Sequence, residues 1–156
     1  MLSRELVLNL IRFFIFSLLL LALAVPTQAA RLTFTKDKNG DSEKLSLVID
    51  HAEKIAGMKV VIIYDVSHLS FVKADKAKAT SSFMHVVNDK KPGKLIIVMA
   101  SAKGISGDNL PLVHLEFKKV PQANPEASKI SVTQVQLMDE DLKEVKADHP
   151  EYLFKN

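Results

Sequence analysis

The side chains that could perform chemistry are dispersed along this chain, and they do not form a familiar catalytic spacing. The 156 residues include five histidines and no cysteine, so a cysteine nucleophile is excluded. No Gly-x-Ser-x-Gly segment presents a serine nucleophile. Zinc needs three or four converging ligands, and no two histidines stand at short ligand spacing. We therefore expect a protein that is not an enzyme and has no metal site or cofactor, with surface or turn positions for His51, His68, His85, His114 and His149.

Two acidic segments have the composition of calcium ligands but lack the spacing. Asp37–Glu43 places its glycine at the fourth position, whereas an EF-hand loop has glycine at the sixth. Asn39-Gly40 within this segment is a strong hairpin signal, because both residues tolerate positive φ. We interpret the segment as a polar hairpin turn and Asp139–Asp141 as a second turn. Two acids could also meet in space to hydrolyse a sugar, but a small domain without long inserted loops has little room for a cleft.

The N-terminal segment has the three regions of a secretory signal peptide. Arg4 and Arg12 supply positive charge, an apolar run follows over Phe13–Val25, and Pro26 ends it before a group of small residues. This pattern predicts a signal-peptide helix over residues 1–29, with cleavage after Ala29. The alternative is an uncleaved membrane anchor. Cleavage predicts an exported protein, either periplasmic or extracellular, with no membrane contact after the leader is removed.

The remaining residues, 30–156, have the size of one domain. The whole chain has a formal net charge of +3, and the leader removes two arginines and one glutamate, so the mature part stays nearly neutral. Near neutrality gives no electrostatic argument for nucleic-acid binding.

The mature segment consists of short apolar runs separated by turn signals, with almost no helical period, which is typical of an all-β sandwich or barrel. Residues 73–82 are lysine-rich and are predicted to hold one helical turn or a loop, and residues 101–109 are predicted to form a loop. Strands are predicted at 32–35, 45–49, 57–64, 69–72, 83–87, 95–99, 112–120 and 129–137, with one or two edge strands in 142–154.

Two strands carry more detailed signals. Residues 112–120 alternate cleanly, which predicts that Val113, Leu115 and Phe117 point into the core. In residues 129–137 the apolar phase slips by one residue near Thr133-Gln134. Such a slip predicts a β-bulge at that point.

The segment from Ile55 to Phe71 resembles the hallmark of bacterial cohesin domains, in which a strand ends in a Tyr-Asp turn and a leucine starts the next short strand. Tyr64-Asp65 and Leu69 occupy those positions here. Three further segments agree in order: Asn39-Gly40-Asp41 before a strand, "LVHLEF" from Leu112, and "VTQVQLMDEDLKEV" from Val132. The resemblance implies a jelly-roll β-sandwich of about nine strands and docking to a calcium-loaded dockerin, a small helical module on another polypeptide.

The resemblance departs from the family at one important place. In characterised cellulosomal cohesins the dockerin-binding strand often carries an Asn and Asp pair before its apolar run, and Gly57 and Lys59 occupy the matching positions here. This difference argues against an ordinary cellulosomal dockerin as the partner.

Two strands, at 57–64 and 95–99, are apolar on both faces, although a sandwich strand needs only one buried face. By analogy with the family, we expect Met58, Val60, Ile62, Ile96 and Val98 to point inward. Val61, Ile63, Leu95, Ile97 and Met99 would then share the outer face, where an exposed apolar patch marks an interaction site. The predicted partner-binding residues are therefore Lys59, Val61, Ile63, Ile97 and Met99. The alternative is that a loop or the segment of residues 73–93 covers this face.

Two other functions remain open. A carbohydrate-binding module is one, although the chain has no tryptophan and two tyrosines, which makes a flat aromatic strip for sugars hard to build. A structural subunit of an envelope or secretion assembly is the other. We expect a non-catalytic module that binds a partner protein, such as a dockerin-like module, through one sheet face.

Overall fold

The computed structural model describes residues 29–37, 43–121, 128–148 and 151–154. Residues 1–28 of the predicted signal peptide and the Asn39-Gly40 turn lie outside these ranges. Within the described ranges, no helix is long and apolar enough to cross a membrane.

Most of the described residues lie in β-strands. One short 3-10 turn, Lys78–Thr80, connects two of them. The strands are β1 Ala30–Asp37, β2 Glu43–Asp50, β3 Ala52–Tyr64, β4 Leu69–Lys76, β5 Met84–Lys91, β6 Lys94–Gly107, β7 Leu110–Lys119, β8 Ser128–Asp139, β9 Glu144–Val145, β10 Ala147–Asp148 and β11 Glu151–Phe154.

The strands form two sheets packed face to face. The five-stranded sheet has the order β10-β1-β2-β7-β4, and the six-stranded sheet has the order β11-β8-β3-β6-β5, with β9 also pairing with β8. Neighbouring strands are antiparallel except β1 and β10, which are parallel. The predicted all-β sandwich is therefore confirmed, and the additional strands are the short segments of the tail.

The core lies between the two sheets and is built by alternate residues of their strands. On β7 the predicted inward residues Val113, Leu115 and Phe117 are all buried, which confirms the alternation. The ring of Phe117 contacts those of Tyr64 and Phe71 edge to face, with centroids 5.2 and 5.7 Å away. Such aromatic pairs stabilise a core beyond the area that they bury, and here they join β3, β4 and β7.

The predicted bulge in β8 is confirmed. Val61 of β3 pairs with Gln134, whereas the next residue, Ile62, pairs with Val132, so Thr133 is the extra residue. The bulge restores the inward direction of Val132 after the phase slip, and Val132 is buried.

The loop predicted for residues 101–109 was wrong, because β6 continues as a strand to Gly107. The serines and glycines of this segment are typical of a loop, but one glycine serves close packing. A Cβ on Gly104 would lie 2.4 Å from the carbonyl oxygen of Lys54, and Lys54 itself has a φ of 51°. Glycine therefore lets β6 pass this irregular part of β3 without a clash.

Residues 73–82 contain the predicted helical turn, but β4 takes up the first part of the segment. The turn carries the chain from the edge of one sheet to the edge of the other. Thr80 is buried, and its hydroxyl donates to the carbonyl oxygen of Leu112 at 2.6 Å. Lys76 donates from its ammonium to the carbonyl oxygens of Ser81 and Phe83, at 2.7 and 2.9 Å.

Candidate functional site

The orientation predicted for β6 was wrong. Met99 pairs directly with Met58, and Ile97 with Val60. Directly opposed residues of an antiparallel pair share a face, so Ile97 and Met99 point inward with their partners, and each is 1% exposed. Neither side chain can therefore contact a partner. Leu95 is also buried, whereas Ile96 and Val98 are the residues of β6 that point outward.

The central part of the outer face of the six-stranded sheet is consequently formed by four rows of side chains across β5, β6, β3 and β8. In each row, neighbouring residues are direct cross-strand partners. Read from β5 to β8, the rows are Met84–Ala100–Gly57–Met138, Val86–Val98–Lys59–Gln136, Asn88–Ile96–Val61–Gln134 and Lys91–Lys94–Ile63–Ser131.

Six apolar residues of these rows form a continuous diagonal, which we call the apolar stripe. It runs from the edge strand β5 across β6 to β3 and comprises Met84, Val86, Val98, Ile96, Val61 and Ile63. Met84 is 74% exposed, and Val86, Val98 and Ile63 are also exposed, while Val61 is buried among its neighbours. An exposed apolar surface of this continuity is typical of an interaction site.

Of the predicted site residues, the structure thus places Lys59, Val61 and Ile63 on one outer face and removes Ile97 and Met99 from it. Sequence reasoning missed Met84, Val86, Ile96 and Val98. A usable signal was the Pro92-Gly93 turn, which joins β5 to β6 with Lys91 opposite Lys94. This pairing brings β5 beside β6 rather than over the face, so the alternative in which residues 73–93 cover this face does not hold.

Lysines flank the apolar stripe. Lys59 lies on its β8 side, and Lys91 and Lys94 lie at the end of the sheet near the Pro92-Gly93 turn. The four rows contain no carboxylate, and no described carboxylate forms an ion pair with any of these three lysines. This central part of the outer face therefore combines apolar area with lysines that form no ion pair with a described acid.

The outer face of the five-stranded sheet has a different character, because several of its charges are paired. The ammonium of Lys73 lies 2.6 Å from a carboxylate oxygen of Asp75 and 4.0 Å from one of Glu116. Hydrogen bonding to Lys73 holds the pKa of Asp75 below its usual value, and the same contact raises the pKa of Lys73. His114 Nδ1 and the hydroxyl of Ser46 lie 2.8 Å apart on the same face.

Serine, histidine and aspartate side chains meet in the turn after β3, but their geometry is not catalytic. Ser67 Oγ donates to Asp65 Oδ1 at 2.6 Å, and His68 Nδ1 lies 2.9 Å both from Asp65 Oδ2 and from Ser67 Oγ. A catalytic histidine uses one ring nitrogen for the acid and the other for the nucleophile. Here both contacts fall on Nδ1, while Nε2 is buried without a partner. These residues stabilise the turn.

The described residues contain no group of three or more histidines and acids that could hold a metal ion. The prediction of a turn at Asp139–Asp141 is confirmed, since Asp139 Oδ1 accepts hydrogen bonds from the backbone N–H groups of Asp141 and Lys143, each at 2.9 Å.

Several solved structures resemble this chain over most of its length. A non-cellulosomal cohesin from the archaeon Archaeoglobus fulgidus matches with a TM-score of 0.68 and 14% identity, covering 83% of this chain and 93% of the other. The chain has the cohesin fold. The sixth cohesin of scaffoldin B from Acetivibrio cellulolyticus, solved with a Cel5 dockerin, matches with a TM-score of 0.68 and 18% identity over 81% of this chain and 96% of that one. The cohesin module of a family 33 glycoside hydrolase from Clostridium perfringens gives 0.68 and 14%, covering 83% and 97%.

These cohesin matches confirm the fold that the sequence resemblance implied. They cover nearly the whole length of the solved modules, so this chain holds a complete cohesin-type sandwich. No protein-family model matches the sequence, and no curated protein matches it. All three identities are below 25%, and at that distance the shared property is the fold.

Proposed function

We propose that the chain is an exported, non-catalytic module that binds a partner protein through the outer face of its six-stranded sheet. The observation that carries this proposal is the apolar stripe, which exposes Met84, Val86, Val98 and Ile63 across three strands, whereas the opposite sheet carries paired charges such as Lys73 with Asp75 and Glu116. Exposing several contiguous apolar side chains is a liability for a soluble surface unless a partner covers them. Val98 and Ile96 would lie near the centre of the contact, where truncation costs the most binding energy.

The cohesin fold supports the same function. The Acetivibrio cellulolyticus module was solved in complex with a dockerin, as was a module from Clostridium thermocellum. We therefore propose a dockerin-type partner for this chain, whose binding would depend on calcium bound by the partner. Export is proposed from the leader at residues 1–29, and a dockerin-type partner would have to be exported as well.

The absence of catalysis is proposed from the polar groups themselves. Ser67, His68 and Asp65 come together, but Ser67 and Asp65 both contact Nδ1 of His68 and leave Nε2 without a partner. A catalytic histidine contacts the acid and the nucleophile through different ring nitrogens. The exposed face offers apolar and ammonium groups, and these bind without activating a nucleophile.

The experiment that tests this proposal is partner capture with a matched pair of variants. Val98 and Val72 are both 41% exposed, and they lie on different sheets, Val98 on β6 and Val72 on β4. The protein produced from the full chain is immobilised as wild type, Val98→Asp and Val72→Asp, and exposed to an extract of exported proteins from the source organism, with calcium or with chelator.

We expect wild type and Val72→Asp to retain the same protein in calcium, and Val98→Asp to lose it. Retention by Val98→Asp at the wild-type level would refute the proposed face. Retention that is indifferent to chelator would leave the face standing and remove the dockerin-type partner.

A further inference from the structure

The pattern of charge around the apolar stripe contains information about the partner. Lys59 flanks the stripe on its β8 side, and Lys94, next to Lys91, flanks it near the Pro92-Gly93 turn. The one carboxylate of β5, Asp89, is followed directly by Lys90 and Lys91, so the local charge of that strand end is positive as well. A partner that covers this face therefore places its own side chains beside lysine ammonium groups on both sides of the apolar stripe.

The dimensions of the stripe restrict the shape of the partner. It crosses from β5 to β3, two strand spacings of about 4.8 Å, and rises by three two-residue steps of about 6.7 Å each, so it is about 22 Å long. Its width is one to two side chains. An α-helix of about 15 residues has this length, and its diameter of about 10 Å fits this width.

We infer that the partner contributes a helix of about four turns that lies along the apolar stripe, with apolar residues on its contacting side and carboxylates on both flanks. This inference rests on the proposed function, and it adds the charge that the partner must carry. Aspartates or glutamates at the flanks would complement Lys59 on one side and Lys94 on the other. The lysines thus act as specificity-determining residues, because a helix with neutral or basic flanks would meet unpaired ammonium groups.

A second copy of this chain does not satisfy these requirements. In a two-fold dimer the same surface meets itself, so lysines from both copies would approach each other with no carboxylate in the four rows to compensate them. Like charges that face each other across an interface oppose its formation. The positive charge of the face therefore favours an acidic partner over self-association.

The test uses three stapled helical peptides of 15 residues with the same leucine stripe and with Glu, Gln or Lys at the flanking positions. Binding to the isotope-labelled protein from the full chain is followed by the amide shifts of Val61, Ile96 and Val98 during titration. This readout detects millimolar affinities. Vesicles of phosphatidylserine and phosphatidylcholine, with vesicles of phosphatidylcholine alone, are titrated in parallel.

We expect the Glu peptide to bind about tenfold more tightly than the Gln peptide, and the Lys peptide to bind more weakly still, because several charge pairs together produce an effect of this size. The double reversal Lys59→Glu with Lys94→Glu is expected to invert the order, so that the Lys peptide binds best. The matched control Lys44→Glu with Lys118→Glu changes two exposed lysines of the five-stranded sheet and is expected to keep the original order.

Three results would overturn the inference. Equal binding of all three peptides would leave an apolar docking face without charge selection. Binding of none at millimolar concentration would exclude a helix along the stripe. Binding of phosphatidylserine vesicles with the same lysine dependence, in place of the peptides, would assign the face to a membrane. The capture experiment with Val98→Asp and Val72→Asp is independent of these outcomes, so the proposed face can stand when the acidic helix fails.

Discussion

The two outer faces of this sandwich present different groups to solvent. On the five-stranded sheet, Lys73 is held by Asp75 and Glu116, and His114 by Ser46. On the six-stranded sheet, apolar side chains stand next to lysines that no described acid compensates. On the first face lysine and acid side chains pair within the sheet, whereas we propose that the second face acquires its complement by binding a partner. Both faces cover the same core, so the effects of substitutions on the two faces can be compared within one folded protein.

The largest expected effect separates the two sides of one strand. Ile97 is 1% exposed and its neighbour Val98 is 41% exposed. Ile97→Asp places an unpaired carboxylate in the core and is expected to cost about 4 kcal/mol or more, enough to unfold a marginally stable domain. Val98→Asp is expected to change the free energy of unfolding by about 1 kcal/mol or less. Urea titration followed by circular dichroism measures both free energies of unfolding. Similar losses for the two variants would show that Val98 belongs to the core as well.

The next effect depends on pH and concerns the inward side of β5. Burial, together with the nearby charge of Lys76, lowers the pKa of His85, and Asp75 opposes this only in part. The unfolded chain takes up this proton at its ordinary pKa, near 6.5, whereas the folded chain resists it. Stability is therefore expected to fall as pH drops below about 6.5 and to level off below the folded pKa. His85→Gln should remove this part of the slope, and an unchanged slope would show that His85 does not cause it.

A smaller effect is expected when the exposed face is made more polar at constant shape. Val86→Thr together with Val98→Thr replaces one methyl group by a hydroxyl at two exposed positions of the apolar stripe. The free energy of unfolding is expected to change by about 0.5 kcal/mol or less, while affinity for the captured partner falls severalfold. A double variant that lost stability but kept its affinity would show that these two side chains stabilise the fold and do not contact the partner.

The smallest effect is expected on the paired face. Asp75→Asn removes an exposed ion pair of the five-stranded sheet, the 2.6 Å contact with Lys73. Both side chains are exposed, so solvent screens their attraction. The urea midpoint is expected to stay within the error of the titration, and partner capture is expected to be unchanged. A clear loss of capture would extend the binding surface to the second sheet.

Much of the fold could be predicted from local patterns, because a strand with one polar face shows its direction in its own residues. The alternation of Val113, Leu115 and Phe117 and the phase slip at Thr133 both describe the structure correctly. The cohesin resemblance was carried by turns such as Tyr64-Asp65, which local sequence specifies. Residues 101–109 were misread, since their glycines signal a loop although Gly104 is needed for packing against Lys54.

The candidate site could be predicted only in part. Lys59, Val61 and Ile63 were placed correctly on the outer face, because β3 has a lysine that marks its polar side. The run Leu95–Met99 has no polar residue, so its own sequence cannot determine which face is buried. Pairing with β3, whose residues lie 33 to 41 positions earlier in the chain, decides it: Met58 pairs with Met99 and Ile62 with Leu95. The contribution of the edge strand β5 was missed for a related reason. Only its pairing with β6 shows that Met84 and Val86 extend the apolar stripe.

The most direct test of the central claim is hydroxyl-radical footprinting of the protein with and without its captured partner. Val98 and Val72 provide matched probes, since each is 41% exposed and they lie on opposite sheets, and Met84 provides a sensitive third probe. The account predicts that oxidation of Met84 and Val98 falls in the complex while oxidation of Val72 stays at its free level. Protection of Val72 with unchanged oxidation of Met84 and Val98 would contradict it, because the partner would then occupy the five-stranded sheet.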